Sequence, residues 1–208
     1  EDVCIGCTHC IKACPTEALR VKAGKAKLIA ERCVDCGECM RVCPVNAIII
    51  EEDDFSRIFN YEHRVALVPS VFIGQFPRNI TTRKIYSGML EDGFTQVYEV
   101  EHSTGILKEL INGYLTSNPD IRPVISSFCP AIVRLIQTRF PSLVANILPF
   151  KAPLDLAAIS YRKKLIDLGI PEEKIGLFYI TPCAAKIAAV KSPVGEETSP
   201  INGVINTN

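Results

Sequence analysis

Eight of the ten cysteines lie between Cys4 and Cys43, in two copies of the run C-x-x-C-x-x-C-x-x-x-C-P. The first copy is Cys4, Cys7, Cys10, Cys14 and Pro15; the second is Cys33, Cys36, Cys39, Cys43 and Pro44. Soft thiolate donors at this spacing ligate cubane iron–sulfur clusters, and in two-cluster chains the last cysteine of each run serves the other cluster. The pattern therefore assigns Cys4, Cys7, Cys10 and Cys43 to one [4Fe-4S] cluster, and Cys33, Cys36, Cys39 and Cys14 to the second. The swap laces the two copies together. Zinc is the poorer reading, because two interlocked runs do not match the paired C-x-x-C layout of zinc sites. Disulfides are poorer still, since disulfide scaffolds belong to small secreted chains and tight cysteine triplets in a leaderless chain read as metal ligands.

The other two cysteines, Cys129 and Cys183, stand in matched contexts. Cys129-Pro130 and Pro182-Cys183 each follow the carboxyl end of an expected buried strand and precede an expected helix N-terminus. Ligand sites of open α/β sheets lie outside the carboxyl ends of the strands. A cubane held by four thiolates is an anion overall, which the unpaired N–H groups of a helix N-terminus favour. A free cysteine among apolar neighbours is most often a small buried hydrophobe. Two of them in matched places behind a cluster-binding module instead point to two ligands of one further metal site. Spacing assigns that site no reaction.

The elements that must position these residues fall into two groups. Residues 1–54 are read as a bacterial-type 2[4Fe-4S] ferredoxin domain, with an internal repeat of 29 positions from Cys4 to Cys33. Each copy is expected to run from its cysteines through a turn of helix, Thr16-Glu17-Ala18-Leu19 or Val45-Asn46-Ala47-Ile48, into an apolar strand. Lys22-Ala23-Gly24-Lys25 is the expected turn of a hairpin between Ala18–Val21 and Ala26–Ile29. About fifty residues bury too little apolar surface to stand alone, so the clusters act as the core and the iron-free form should be largely unfolded. Glu51-Glu52-Asp53-Asp54 reads as a solvated linker. Residues 55–208 then change period, with strands expected at Arg64–Val68, Gln96–Val100, Pro123–Ser127 and Ile175–Ile180. Helices are expected at Thr81–Glu91, Ser103–Leu115, Pro130–Phe140, Leu154–Leu168 with Gly169 just past its end, and Ala184–Val190. The fold class is thus an α+β dicluster ferredoxin module followed by an α/β domain whose mostly parallel sheet is covered on both faces.

The 208 residues balance 23 Lys and Arg against 23 Asp and Glu, which points to neither nucleic acid nor an anionic membrane as partner. The apolar runs fall far short of the about 18 residues of a membrane span, and no signal-peptide pattern opens the chain. A cytoplasmic location is expected, in the reducing setting of an anaerobe that low-potential clusters require. The chain opens at Glu1 without a methionine and stops at Asn208 in what reads as mid-sequence, so it is taken as a fragment.

Two segments carry a resemblance. Ile125 to Pro141 (ISSFCPAIVRLIQTRFP) and Gly176 to Lys191 (GLFYITPCAAKIAAVK) resemble the first two signature motifs of the [FeFe]-hydrogenase catalytic domain. The domain order, ferredoxin module first, is similar as well. Within that superfamily the chain most resembles the sensory group, in which a PAS or other signalling domain often follows, and residues 55–208 resemble the N-terminal part of the H-cluster domain. The resemblance implies an H-cluster, a [4Fe-4S] cubane joined through a cysteine to a diiron unit bearing CO, cyanide and a dithiolate. It makes Cys129 and Cys183 two of the cubane ligands, and Lys186 a hydrogen-bond donor to a cyanide of the diiron unit. An ammonium suits that task, with three donors and a compact charge. Outside this context Lys186 would read as an ordinary exposed helix lysine.

The departures from the family pattern matter equally. Catalytic members usually carry a proton-relaying cysteine where this chain has Phe128, and a benzyl group neither donates nor accepts a proton. The second motif commonly opens with Met where this chain has Thr181, which changes packing and hydrogen bonding around the centre. The third motif, with the remaining two cysteine ligands, would lie beyond Asn208. The resemblance therefore implies reversible H2 oxidation and proton reduction, or H2 sensing, slow in turnover, with electrons relayed through the two ferredoxin clusters. Its partners would be H2, protons, and a redox protein or downstream signalling domain; the fragment alone is expected to be inactive. The alternative is an electron-transfer protein whose α/β domain binds a cubane but performs no H2 chemistry. Lesser candidates are His9, His63 and His102, read as surface or capping residues. Gly74-Gln75-Phe76 is expected as a loop over the site, and Arg134 and Arg139 are placed on the solvated face of their helix.

Overall fold

The structure, a computed structural model, describes residues 3–193 and 198–207. The chain begins with α1 (His9–Ala13), β1 (Leu19–Lys22), β2 (Lys25–Leu28) and α2 (Glu38–Arg41). The two short helices occupy equivalent places in the repeat, each between the second cysteine of its run and the fourth, and they pack together. Strands β1 and β2 pair antiparallel with Leu19 opposite Leu28 and Lys22 opposite Lys25. Ala23 (φ 48°) and Gly24 (φ 72°) are both left-handed, the signature of the tight turn whose twist matches the strands.

The helical turns expected after each Cys-Pro are absent. Glu17 (φ 55°) and Asn46 (φ 49°) are left-handed instead, which a helix forbids. The conformation has a use: the amides that follow, Ala18 and Ala47, donate back to Cys14 Sγ and Cys43 Sγ, both at 3.2 Å. The strand expected after Ala47 is likewise absent, and Ile50 packs against the core of the second unit.

That unit contains β3 (His63–Val68), α3 (Ser70–Ile73), α4 (Thr82–Glu91), β4 (Gln96–Glu99), α5 (Thr104–Ser117), α6 (Pro130–Arg139) and α7 (Pro153–Asp167). It ends with β5 (Ile175–Thr181), α8 (Ala184–Lys191) and β6 (Gly203–Asn206). The four strands form a parallel sheet in the order β4-β3-β5-β6. All seven residues of β5 are buried, as a central parallel strand covered on both faces requires. Alternation sorts the sheet into two cores. Val65, Leu67, Ile175, Leu177 and Tyr179 pack with Leu154, Ala157, Ala158 and Leu165 of α7 and Ile187 of α8. Ala66, Val68, Phe178 and Ile180 face the other way, against Ile58, Met89 of α4 and Phe94. No helix among the described residues is long and apolar enough to cross a membrane.

Two expectations fail here. Pro123–Ser127 is not a sheet strand: Ile125 makes an isolated parallel bridge to Ile147. Pro123 has no N–H to give a ladder, and the Ile125 backbone bonds to the 146–148 segment instead, donating to Asn146 O (2.9 Å) and accepting from Leu148 N–H (2.8 Å), while the Ser126 hydroxyl accepts from Phe128 N–H (3.3 Å) and the Ser127 hydroxyl donates to Phe150 O (2.8 Å). The acidic segment is not a free linker. Asp53 N–H donates to Val204 O (3.2 Å), while Val204 N–H donates to Asp53 Oδ2 (2.9 Å) and Asn206 N–H to Glu52 Oε2 (3.1 Å). The segment thereby covers the edge of β6, a short strand that the sequence reading did not anticipate.

Candidate metal centres

The two cysteine quartets assigned from spacing each surround a separate void. Cys4, Cys7, Cys10 and Cys43 line one, with Ile5, Val21 and Ile48 among the apolar walls, and Cys14, Cys33, Cys36 and Cys39 line the other. Their open volumes are about 20 and 210 Å³. The fourth member of each quartet comes from the other copy of the repeat. No three His, Cys, Asp or Glu side chains among the described residues converge on one point fit for a single metal ion. Sulfurs spread around a void suit a cubane, in which each thiolate binds its own iron, better than a zinc ion gripped by four at about 2.3 Å.

Backbone amides are aimed at the sulfurs. Besides the Ala18 and Ala47 bonds, Ala26 N–H donates to Cys4 Sγ (3.3 Å) and Asp35 N–H to Cys33 Sγ (3.4 Å). The Ala26 and Gly6 amides hold the Cys4 thiol below its ordinary range. Burial pushes Cys14 up, yet the Thr16 hydroxyl and the amides of Thr16, Ala18 and Glu17 bring it below the ordinary value. Burial raises Cys10 and Cys33, and burial with the neighbouring thiols Cys33 and Cys36 pushes Cys39 up to about 11. Four such thiols cannot all ionise side by side without cations between them. The donor set therefore fits a cationic iron core in each void.

The further site is built at the carboxyl end of the sheet. Connections leave β3 and β5 in opposite directions, toward β4 on one side and β6 on the other, the place where open α/β sheets open a crevice. A cavity of about 460 Å³ lies there, lined by Pro69 after β3, Val100 and Glu101 after β4, Phe128 and Arg134 at α6, and Lys186 of α8. Cys129 and Cys183 are the N-cap residues of α6 and α8, with nearly equal backbone angles (φ −105°, ψ 106° and φ −91°, ψ 107°). The two helices pack on each other. Cys129 follows the Ile125 bridge rather than a sheet strand, and it is exposed; Cys183 follows β5 and is half-buried. Neither sulfur lines the large cavity, whereas Phe128 and Lys186 do.

Sequence reasoning marked Thr181 as a departure that alters hydrogen bonding here, but it missed Tyr179 and Glu101. Thr181, fully buried, accepts a hydrogen bond from Cys183 N–H at 3.1 Å and so shapes the turn into α8. Lys186 Nζ donates to Tyr179 Oη (3.2 Å) and lies 5.7 Å from the centre of that ring. The only sequence signal was a tyrosine in a buried strand, whose hydroxyl needs a partner. Glu101 Oε1 accepts from Ser70 N–H (2.9 Å), and its buried Oε2 has no partner among the described residues. Burial raises the Glu101 carboxyl, but the Ser70 hydrogen bonds, with Lys186 adding its charge, bring it below the ordinary value. Arg134 is not on a solvated face: its side chain is 18% exposed and paired with Asp35. Phe76 stacks edge-on to Phe72 (5.2 Å) and does not line the cavity. His9 and His102 are exposed, and His102 Nδ1 lies 3.1 Å from Glu99 O.

Comparison with known proteins agrees with both units. Residues 1–50 match the 4Fe-4S dicluster domain, and residues 62–208 match the family described as iron only hydrogenase large subunit, C-terminal domain. A solved [FeFe]-hydrogenase, from work on oxygen inactivation through modification and degradation of the H cluster 2Fe subcluster, superposes with a TM-score of 0.52. It is 19% identical, and the match covers 75% of this chain and 42% of that one, so the chain spans less than half of that hydrogenase. At that identity the likeness is one of fold. The match over residues 62–208 takes in β3 to β6 and both cysteine-capped helices, and on it the chain belongs to the iron-only hydrogenase large-subunit family.

Proposed function

We propose that the chain is the electron-relay and partial active-site portion of an [FeFe]-hydrogenase-type protein that converts or senses H2. The observation that carries this reading is the shared cavity. Phe128, directly before Cys129, and Lys186, three residues after Cys183, face one space beyond the carboxyl ends of β3 and β5. A diiron unit bound there would supply the H2-splitting chemistry. Cys129 and Cys183 would hold the adjoining cubane, each at the N-terminus of a helix that favours the cluster's negative charge. Lys186, oriented by Tyr179, presents N–H donors to the cavity. Phe128 excludes water and carries no proton, so proton traffic through that position is closed.

Electrons would pass through the two quartets. The void of Cys14, Cys33, Cys36 and Cys39 is also lined by Ala184, next to Cys183, which supports that cluster as the one nearer the catalytic centre. The cluster of Cys4, Cys7, Cys10 and Cys43 then faces an outside redox partner or signalling domain. Reducing cytoplasm suits such thiolate-held clusters. The test is infrared spectroscopy of the full-length protein after maturation with the diiron cofactor. Bands of CO and cyanide are expected, and their absence in iron-replete protein would overturn the reading. Phe128 favours one second reading, an electron carrier holding a cubane without the diiron unit. That protein would contain iron and sulfide for three cubanes, show no diatomic bands and catalyse no exchange between H2 and water.

A further inference from the structure

The loop that carries the second cysteine run is one of the places where the ferredoxin unit meets the α/β unit. Asp35 lies two residues after Cys33 in a left-handed conformation (φ 53°), with its amide and its Oδ1 both 3.4 Å from Cys33 Sγ. Its Oδ2 is ion-paired with the Arg134 guanidinium of α6, and the side chains are 33% and 18% exposed. Arg134 also donates to Ser192 O (3.2 Å) just past the end of α8, and it lines the cavity that Phe128 and Lys186 share. Beside this pair Gly37 (φ 79°) lies against Ala184; a Cβ on Gly37 would stand 2.6 Å from the Ala184 methyl.

Electrostatics give this arrangement a consequence. A Cys33 bound to iron has no proton to donate, so a carboxylate would face an anionic sulfur at close range. The Arg134 charge offsets both. Each one-electron reduction of a cluster adds negative charge, which a nearby fixed cation favours and a nearby fixed anion opposes.

We propose that Asp35 and Arg134 form a positioning pair that seats the Cys33–Cys39 loop against α6 and α8 and sets the reduction potential of the cluster held by Cys14, Cys33, Cys36 and Cys39. The inference rests on the two-cluster reading given above.

The experiment uses this chain, reconstituted without oxygen with iron and sulfide and titrated with dithionite under electron paramagnetic resonance. Wild-type protein should contain iron and sulfide for at least two cubanes; failure there overturns the cluster reading itself and is seen before any variant is compared. Given the clusters, Arg134→Gln should lower the midpoint of one cluster, Asp35→Asn should raise the midpoint of that same cluster, and the other midpoint should stay. Arg134→Lys should restore most of the wild-type value. Cys36→Ser, which alters only the second quartet, identifies whose signal moves. If both clusters move together, if neither moves, or if both substitutions shift the midpoint in one direction, the pair does not set the potential. Should Arg134→Gln prevent folding, Asp35→Asn still decides the matter, since a purely structural pair would leave both midpoints unchanged.

Discussion

Phe128 faces the cavity with a group that cannot move a proton, and its neighbour Cys129 sits at a helix N-cap. Positioned acid–base groups contribute on the order of 10²–10⁴-fold to reactions limited by proton transfer. In matured full-length protein, Phe128→Cys is therefore expected to raise exchange between H2 and D2O by on the order of 10²-fold. Mass spectrometry of HD reads the rate; an unchanged rate would mean that protons reach the centre by another route. Lys186 is a different case, because its position depends on a residue seven places earlier. Tyr179 is fully buried, and its hydroxyl takes the ammonium's hydrogen bond at 3.2 Å. Tyr179→Phe removes that bond while keeping the ring, and should cost about 0.5–1.5 kcal/mol in urea denaturation. A neutral result would show that Lys186 is held by other contacts.

At the scale of elements, the loop of Cys33 to Cys39 and helix α8 meet at Gly37 and Ala184 with no room for a methyl group. Gly37→Ala adds a Cβ at φ 79°, where L-residues are strained, and drives it into the Ala184 methyl. We expect a loss of about 1–3 kcal/mol and faster release of iron to a chelator, followed by the decay of visible absorbance. The companion Ala184→Gly in the same chain should recover part of it; no recovery would place the strain in the backbone alone. The same elements show how far the sequence could be read. Both quartets were legible because iron ligation fixes residue type and spacing together. So were β3 and β5, whose apolar runs are long and bounded. Pro123–Ser127 also looked like a strand, but its Ile125 backbone bonds to Asn146 and Leu148 rather than to the sheet, and pattern does not register where an amide goes. Arg134 read as a solvated helix residue because its partner, Asp35, lies far back in the chain. Ala18 and Ala47 bond their sulfurs only through left-handed residues before them, a conformation that Glu17 and Asn46 do not advertise.

For the whole molecule, the question is how the two units stay joined. The ferredoxin unit has little apolar core, so chelation of iron should melt residues 3–50 while the four-stranded sheet persists; limited proteolysis should cut first within that segment. Wholesale cleavage at the same rate throughout would instead show one cooperative unit. What ties them mechanically is Asp53, at the exit from the ferredoxin unit. It pairs with Arg57 and with Lys191 at the end of α8 (3.2 Å), and it accepts from Val204 N–H on the edge strand β6 (2.9 Å). Its side chain is only 9% exposed. Burial pushes the carboxyl up, but the Val204 amide, Lys191 and Arg57 outweigh burial and hold it below its ordinary value. A carboxyl depressed in the folded state stabilises the fold above its unfolded value of about 3.9, and that contribution disappears as the pH falls through the folded value. Asp53→Asn keeps an acceptor oxygen but removes the charge, leaving Lys191 and Arg57 partly uncompensated. It should therefore destabilise the protein by about 1–3 kcal/mol at neutral pH. Acid releases the clusters from wild type and variant alike, so the difference between the two isolates Asp53. Urea denaturation of both proteins from pH 7 downward should show that difference constant to near pH 5 and shrinking below about pH 4. A difference that persists unchanged into stronger acid would mean that Asp53 acts through shape rather than charge.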